Sequence, residues 1–296
     1  MEKKTALAIG AFDGLHRGHT KLVKIALSQK GLEPAVLSFR ENPSADLIGK
    51  TAYIITQEEK EEILKNMGIE KLFILDFCDI KNLSAKDFFY EYIVKKCGAK
   101  KIICGENFRF GKKASGNIEL LESLCKQNDM ELIVADYECF DNEIISSTRI
   151  RKAVENGEMK IAKSMLGRDF GFNSVVIKGN QIGRTIGTPT INQIIPKGFV
   201  LPKFGVYASC VTVEGRELCG LTNVGVKPSI GKYEPNCETW ILDFEKDMYG
   251  MKIKVELIEF IREEKKFDSL DKLREEIGKD AEKAKNIFEK TIYKSE

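Results

Sequence analysis

Two histidines are all that this chain has, and they stand three residues apart in Gly10-Ala11-Phe12-Asp13-Gly14-Leu15-His16-Arg17-Gly18-His19. The apolar run 5–9 before them reads as a strand, and a helical pattern through Leu22, Val23 and Ala26 follows. A glycine-rich turn from strand to helix directs backbone N–H groups and a helix N-terminus at a ligand, which suits phosphate. Two imidazoles one helical turn apart can hydrogen-bond the α- and β-phosphates of a nucleotide and stabilise charge as it builds in adenylyl transfer. Capping the turn is the alternative duty. Metal binding is a third, but Cys, Asp or Glu partners at ligand spacing are not evident.

A second cluster is Gly183-Arg184-Thr185-Ile186-Gly187-Thr188-Pro189-Thr190-Ile191-Asn192. Gly183 and Gly187 permit close backbone approach, and Pro189 fixes the turn. The Thr190 hydroxyl and Asn192 amide oxygen lie two residues apart, hence on one side of an extended strand. Such hard oxygens suit magnesium, which keeps several waters and binds substrate phosphates. A β-turn with its polar residues in water is the other reading of this stretch. A Walker A loop is lacking, since 225–232 has the wrong spacing and ends before Tyr233. Near residue 147, Ser146-Ser147-Thr148 ahead of a helix offers hydroxyl and N–H donors, and Arg151 offers a planar fork for phosphate. The same residues also make an ordinary N-cap with a solvated arginine.

These groups need a scaffold to hold them. Strand signals at 5–9, 35–39, 71–75, 101–104 and 131–135 alternate with helical segments, among them one opened by the capping box of Thr56 and Glu59. That alternation predicts an α/β domain with a parallel sheet covered on both faces. From about Gly167 the texture changes to short β-rich runs at 175–178, 206–213, 238–244 and 252–260, then a helix through Leu270, Leu273, Ile277 and Ala284 with Asp268 as its cap. A small antiparallel barrel or sandwich fits best. The expected domains are 1–165 and 166–296.

Composition agrees with two globular domains: 296 residues, 43% hydrophobic, 31% charged, and a net charge of +2. Near-neutral charge gives little reason to expect nucleic acid or an anionic membrane as partner. Apolar stretches fall short of the ~20 residues that a spanning helix needs, and Asp13 interrupts the N-terminal run too early for an export signal, so a cytoplasmic protein is expected. The eight cysteines are scattered without a C-x-x-C, as expected of reduced thiols.

Residues 10–19 resemble the G-x-F-D-x-x-H-x-G-H signature of the HxGH nucleotidyltransferases. Gly105-Glu106-Asn107-Phe108-Arg109-Phe110-Gly111 and Ile145-Ser146-Ser147-Thr148-Arg149-Ile150-Arg151 are similar to two later motifs of the prokaryotic FAD synthetase family; cytidylyltransferases and pantetheine-phosphate adenylyltransferases share only the first signature. The resemblance implies a Rossmann-like domain in which His16 and His19 hold the ATP triphosphate. Gly10, Ala11, Phe12, Asp13, Gly18 and Asn107 then form the nucleotide site, and Ser147, Thr148 and Arg151 close over the phosphates. The 183–192 cluster is similar to the riboflavin kinase signature, with Ile191 where alanine is usual. On that match Gly183, Arg184 and Gly187 serve ATP while Thr190 and Asn192 hold magnesium. Gly205-Val206-Tyr207 and the segment from Asn223 to Ser229 resemble later kinase segments and are assigned to flavin, with serine for the usual threonine at the end. Glu238-Thr239-Trp240 matches a Glu-Thr-His motif, so Glu238 is the implied base for the ribityl 5′-hydroxyl, a task a carboxylate can perform. One departure lies at Phe39-Arg40-Glu41-Asn42-Pro43, where the family often has Phe-x-Pro-His-Pro. The implied function is two-step: riboflavin plus Mg-ATP to FMN, then FMN plus Mg-ATP to FAD and pyrophosphate. The alternative keeps the transferase and makes the barrel a catalytically silent flavin-binding module; a third reading is a non-enzymatic carrier.

Overall fold

The computed structural model describes residues 4–40, 52–179, 183, 187–229 and 232–292. The chain forms two compact units, Met1–Ser147 and Thr148–Glu296. Residues 148–165, which a division at 165/166 assigns to the first domain, fall in the second unit.

Five strands build the first unit: β1 (Thr5–Ile9), β2 (Glu33–Phe39), β3 (Lys71–Leu75), β4 (Ala99–Gly105) and β5 (Glu131–Ala135), all parallel in the order β3-β2-β1-β4-β5. β1 is buried at every position because both faces are covered. Leu7 and Ile9 point to one face, where Phe88, Phe89, Ile93, Leu121 and Leu124 pack. Ala6 and Ala8 point to the other, against Leu22, Val23 and Leu64. The covering helices are α1 (Arg17–Leu27), α2 (Gln57–Asn66), the short α3 (Phe77–Ile80), α4 (Ala85–Phe88) and α5 (Ile118–Gln127). Thr56 and Glu59 make the expected reciprocal capping box on α2. After α4 the chain widens into a π-helical stretch, Phe89–Lys96, which periodicity alone does not reveal. Strand order reverses between β1 and β4, so the loops leaving their carboxyl ends part and open a crevice. A two-stranded ribbon, β6 (Cys139–Phe140) with β7 (Glu143–Ile144), completes the unit.

Helix α6 (Ser147–Glu155) leads into the second unit and α7 (Met159–Leu166) follows, ending at Gly167 in the left-handed conformation. β8 (Phe170–Ile177), β9 (Thr190–Ile194), β10 (Gly205–Val213), β11 (Arg216–Ser229), β12 (Lys232–Ile241) and β13 (Lys252–Arg262) close an antiparallel barrel in the order β10-β11-β12-β9-β8-β13. Its interior carries Tyr207, Val211, Val224 and Val255, with a chain of buried hydroxyls from Ser209 to Thr222 (2.7 Å) to Thr239 (2.9 Å). The terminal helix α8 (Leu270–Ile292) lies on the outer wall, where Ile277, Ala284 and Ile287 meet Val206, Ala208 and Leu221. Its cap is Ser269, whose hydroxyl accepts the Lys272 N–H at 3.3 Å; Asp268 instead pairs with the Lys272 ammonium.

Candidate active sites

In the first unit the loop after β1 turns sharply through Phe12 (φ 51°), Gly14 (φ 78°) and Leu15 (φ 41°). Three side chains anchor it from behind. Asp13 accepts the Ile54 N–H at 2.9 Å, Ser147 donates to the Asp13 carbonyl at 2.9 Å, and Ser38 donates to the Ala11 carbonyl at 3.1 Å. His16 is the N-cap of α1, its Nδ1 accepting the His19 N–H at 3.4 Å. In a neutral ring that leaves the proton on Nε2, a donor for phosphate oxygen. The two imidazoles stack, centroids 3.6 Å apart at 19°. A Cβ at Gly18 would lie 3.2 Å from the His16 ring, so the absent side chain makes room for the stack.

The nucleotide assignment divides accordingly. Gly10, Ala11, Gly18 and His19 keep some exposure. Phe12 has none, and it supports the His19 ring edge-on at 5.3 Å. Asp13 is 7% exposed and spent on the loop. These two side chains hold the loop from beneath. Asn107 is exposed just past β4, across the strand-order reversal from the histidines. Ser147 opens α6, and Thr148 and Arg151 follow on that helix.

Sequence reasoning missed an aromatic cavity of about 580 Å³ at the same edge of the sheet. Phe39 ends β2, Phe77 follows β3, and Phe108 and Phe110 follow β4; Phe88 and Arg109 complete its wall. Phe108 and Phe110 stack at 5.6 Å. The alternation Phe108-Arg109-Phe110 was the available signal. Asn42 and Pro43 lie outside the described residues.

In the second unit, β9, β12 and β11 are neighbours in a register that sets Glu238 beside Asn192 and Asn223, and Trp240 beside Thr190 and Leu221. Opposed residues share a face of a sheet, so these six point the same way, outward from the barrel. Ile191 and Thr239 point inward and are largely buried, and both also line the wall of a cavity of about 430 Å³ at the end of the barrel.

Two cavities meet at this face. One, of about 290 Å³, is lined by Glu238, Asn223, Thr190 and Trp240 from the barrel and Leu273 and Ile277 from α8. The other, of about 430 Å³, is lined by Gly187, Pro189, Thr190, Phe244 and Tyr249. Thr190 belongs to both. Gly183 lines the first cavity, and a Cβ there would lie 2.2 Å from the Thr188 carbonyl oxygen. Arg184 lies outside the described residues. Asn192 is 6% exposed, and its amide occupies space that a Cβ at Gly179 would fill at 2.5 Å.

The four residues assigned to flavin differ in placement. Val206 and Asn223 line the cavity under α8. Tyr207 is fully buried, its hydroxyl donating to the Lys203 carbonyl and its ring set against Phe260. Burial pushes its hydroxyl pKa up. Gly205 serves packing: at φ 146°, a Cβ would lie 2.3 Å from the Arg262 carbonyl oxygen.

Thr190 and Asn192 are of the kind magnesium accepts, two neutral oxygen donors on one strand face beside a carboxylate; Thr190 lines both cavities, while Asn192 is 6% exposed. Among the described residues no group of three His, Cys, Asp or Glu could hold a metal by itself.

Comparison with known proteins agrees with this division. An FAD synthetase family model matches residues 1–149 and a riboflavin kinase model matches 166–288. The Bifunctional riboflavin kinase/FMN adenylyltransferase of Bacillus subtilis (strain 168) is 32% identical over 97% of this chain and 93% of its own length. That of Haemophilus influenzae is 35% identical, covering 96% and 94%. A crystal structure described as a macrolide-efflux protein from Streptococcus pneumoniae superposes with TM-score 0.87 at 32% identity, over 97% of this chain and 95% of that one. No described helix of the present chain is long and apolar enough to cross a membrane. With both family models in order and curated relatives matched end to end, the chain belongs to the bifunctional riboflavin kinase/FMN adenylyltransferase family and makes FMN from riboflavin and FAD from FMN.

Proposed function

We propose that the second unit takes riboflavin in the cavity beneath α8 and ATP in the cavity beside Phe244 and Tyr249. One observation carries this reading: Thr190 lines both cavities, with Glu238 on the α8 side. The ribityl 5′-hydroxyl passes its proton to the Glu238 carboxylate as its oxygen bonds to the γ-phosphorus, and the bond from that phosphorus to ADP breaks. Asn223 and Trp240, flanking Glu238 on the same face, position the flavin. Thr190 and Asn192 would hold magnesium, which when bound neutralises phosphate charge.

In the first unit ATP lies along the loop from Gly10 to His19, and the isoalloxazine of FMN lies among Phe39, Phe77 and Phe108. An FMN phosphate oxygen bonds to the α-phosphorus as the bond to pyrophosphate breaks. His16 Nε2–H and the His19 ring stabilise the charge that moves to the departing oxygens. Asn107 joins them from the end of β4. Ser147, Thr148 and Arg151 are assigned to the phosphates on their motif alone. No residue is assigned a covalent intermediate. Reliance on ATP argues for work in the cytoplasm.

The test is to incubate the purified chain with riboflavin, ATP and magnesium and resolve the flavins by chromatography. FAD should accumulate. His16→Ala should stop at FMN, and Glu238→Gln should make no FMN from riboflavin yet convert supplied FMN. Chelating the metal should halt phosphorylation, and magnesium should restore it. If either variant loses both steps while folded, the division of labour is wrong.

A further inference from the structure

Lys60 on α2 is a buried amine, 5% exposed, that none of the steps above uses. Its ammonium donates to the Ser38 hydroxyl at 3.2 Å and to the Phe39 carbonyl at 2.9 Å. Ser38 in turn donates a hydrogen bond to the carbonyl of Ala11, inside the loop that carries His16. Phe39 is a wall of the aromatic cavity. One cation thus ties the nucleotide loop on one side to the flavin wall on the other. An in-line transfer depends on the distance between the FMN phosphate and the α-phosphorus, and a misplacement of about 1 Å can cost about 100-fold in rate.

We propose that Lys60 is a positioning residue of the adenylylation site, a buried ammonium that holds the nucleotide loop and the flavin wall in register. The inference rests on the placement of ATP and FMN given above. The charge matters as well as the bonds, because a cation behind the loop is poorly screened and favours the triphosphate in front of it. Among the described residues, the charged groups around it are few. Asp13 in the loop and Glu61 on α2 stabilise the cation, Glu59 is engaged with Thr56, and Arg40 at the end of β2 is paired with Asp76. Burial outweighs the two favourable carboxylates and pulls the Lys60 pKa down to about 8. The ammonium therefore loses its proton close to physiological pH.

The experiment follows FMN conversion to FAD and riboflavin conversion to FMN by the full-length chain from pH 6.5 to 9.5. In the wild type, kcat for FAD formation should fall as pH passes about 8, while the kinase step shows no such limb. Lys60→Arg should move that limb upward, since guanidinium stays charged. Lys60→Met should remove the limb and lower kcat for FAD formation at pH 7.5 at least about 10-fold, with riboflavin phosphorylation unchanged. Unchanged adenylylation in Lys60→Met, or an identical limb in wild type and Lys60→Arg, overturns the proposal. A His16→Ala arm separates failures: if that variant still makes FAD, the assignment of the nucleotide loop is at fault.

Discussion

His16 has two duties that a single substitution can separate. Its Nδ1 caps α1, and its Nε2–H is assigned to phosphate. Asparagine is among the best N-caps but lacks the second nitrogen donor at that reach. His16→Asn should therefore leave stability within about 0.5 kcal/mol. FAD formation should drop by about 100-fold or more, the usual cost of one preorganised donor to developing charge. Thermal unfolding and FMN turnover check the two halves, and a variant that stays active would reduce His16 to a cap. Lys60 makes a second prediction, about stability. Its folded pKa of about 8 lies below the free value of 10.5, so between those pH values the unfolded chain holds a proton that the folded chain has released. Stability from this group rises with pH across that window, by about 3 kcal/mol in full. Below about pH 8 both states are protonated and the burial penalty is at its largest. In chemical denaturation, wild type should therefore gain on Lys60→Met between pH 7.5 and 10; a loss would contradict the sign.

The elements were legible where one physical rule governed them. β1 begins and ends where its run does, because a strand buried on both faces needs no alternation, and β3 spans the expected 71–75 as a half-buried edge strand. β11 was missed as a strand, since its polar Thr222 is satisfied only inside the barrel, by Thr239 of β12, and the run also holds Gly220, Gly225 and Pro228. The aromatic cavity escaped because its residues come from the ends of separate strands, and only strand order brings them together. The paired outward face of Thr190, Asn192 and Glu238 was partly legible: spacing of two set the first pair, but the register that adds Glu238 is a tertiary fact. Helix α8 shows the same limit. Its apolar stripe was readable, whereas its buried Asp280, donating no proton but accepting the Arg262 Nε–H at 2.7 Å, was not. Both residues line the cavity under α8. Asp280→Ala takes the nearer carboxylate from a guanidinium whose side chain is only 14% exposed and leaves Glu276 at 3.8 Å, so the cost should stay below the about 3–5 kcal/mol of an uncompensated buried charge. The Km for riboflavin should rise with it as α8 loosens, leaving FMN adenylylation intact. Thermal unfolding and kinase kinetics measure the two effects, and an unchanged melting temperature would show that the pair contributes little.

At the scale of the whole chain, the main groups of each proposed site come from one unit, with Thr148 and Arg151, assigned to the adenylylation phosphates on their motif, as the exception. Glu238, Thr190, Asn192, Trp240 and α8 all belong to the second, and the imidazole stack, Asn107 and the aromatic cavity all belong to the first. A chain crippled at one site should therefore keep the other complete. It follows that Glu238→Gln and His16→Asn chains, neither of which makes FAD from riboflavin, should make it when mixed. His16→Asn supplies FMN, and Glu238→Gln consumes it. Because the intermediate must cross solution, FMN should build up before FAD appears, and the lag should shorten as the Glu238→Gln chain is raised at fixed His16→Asn. Time courses of all three flavins in the mixture measure this directly. If each variant performs its own half-reaction and the mixture still yields no FAD, FMN is not released by the kinase site, and the two units work as one.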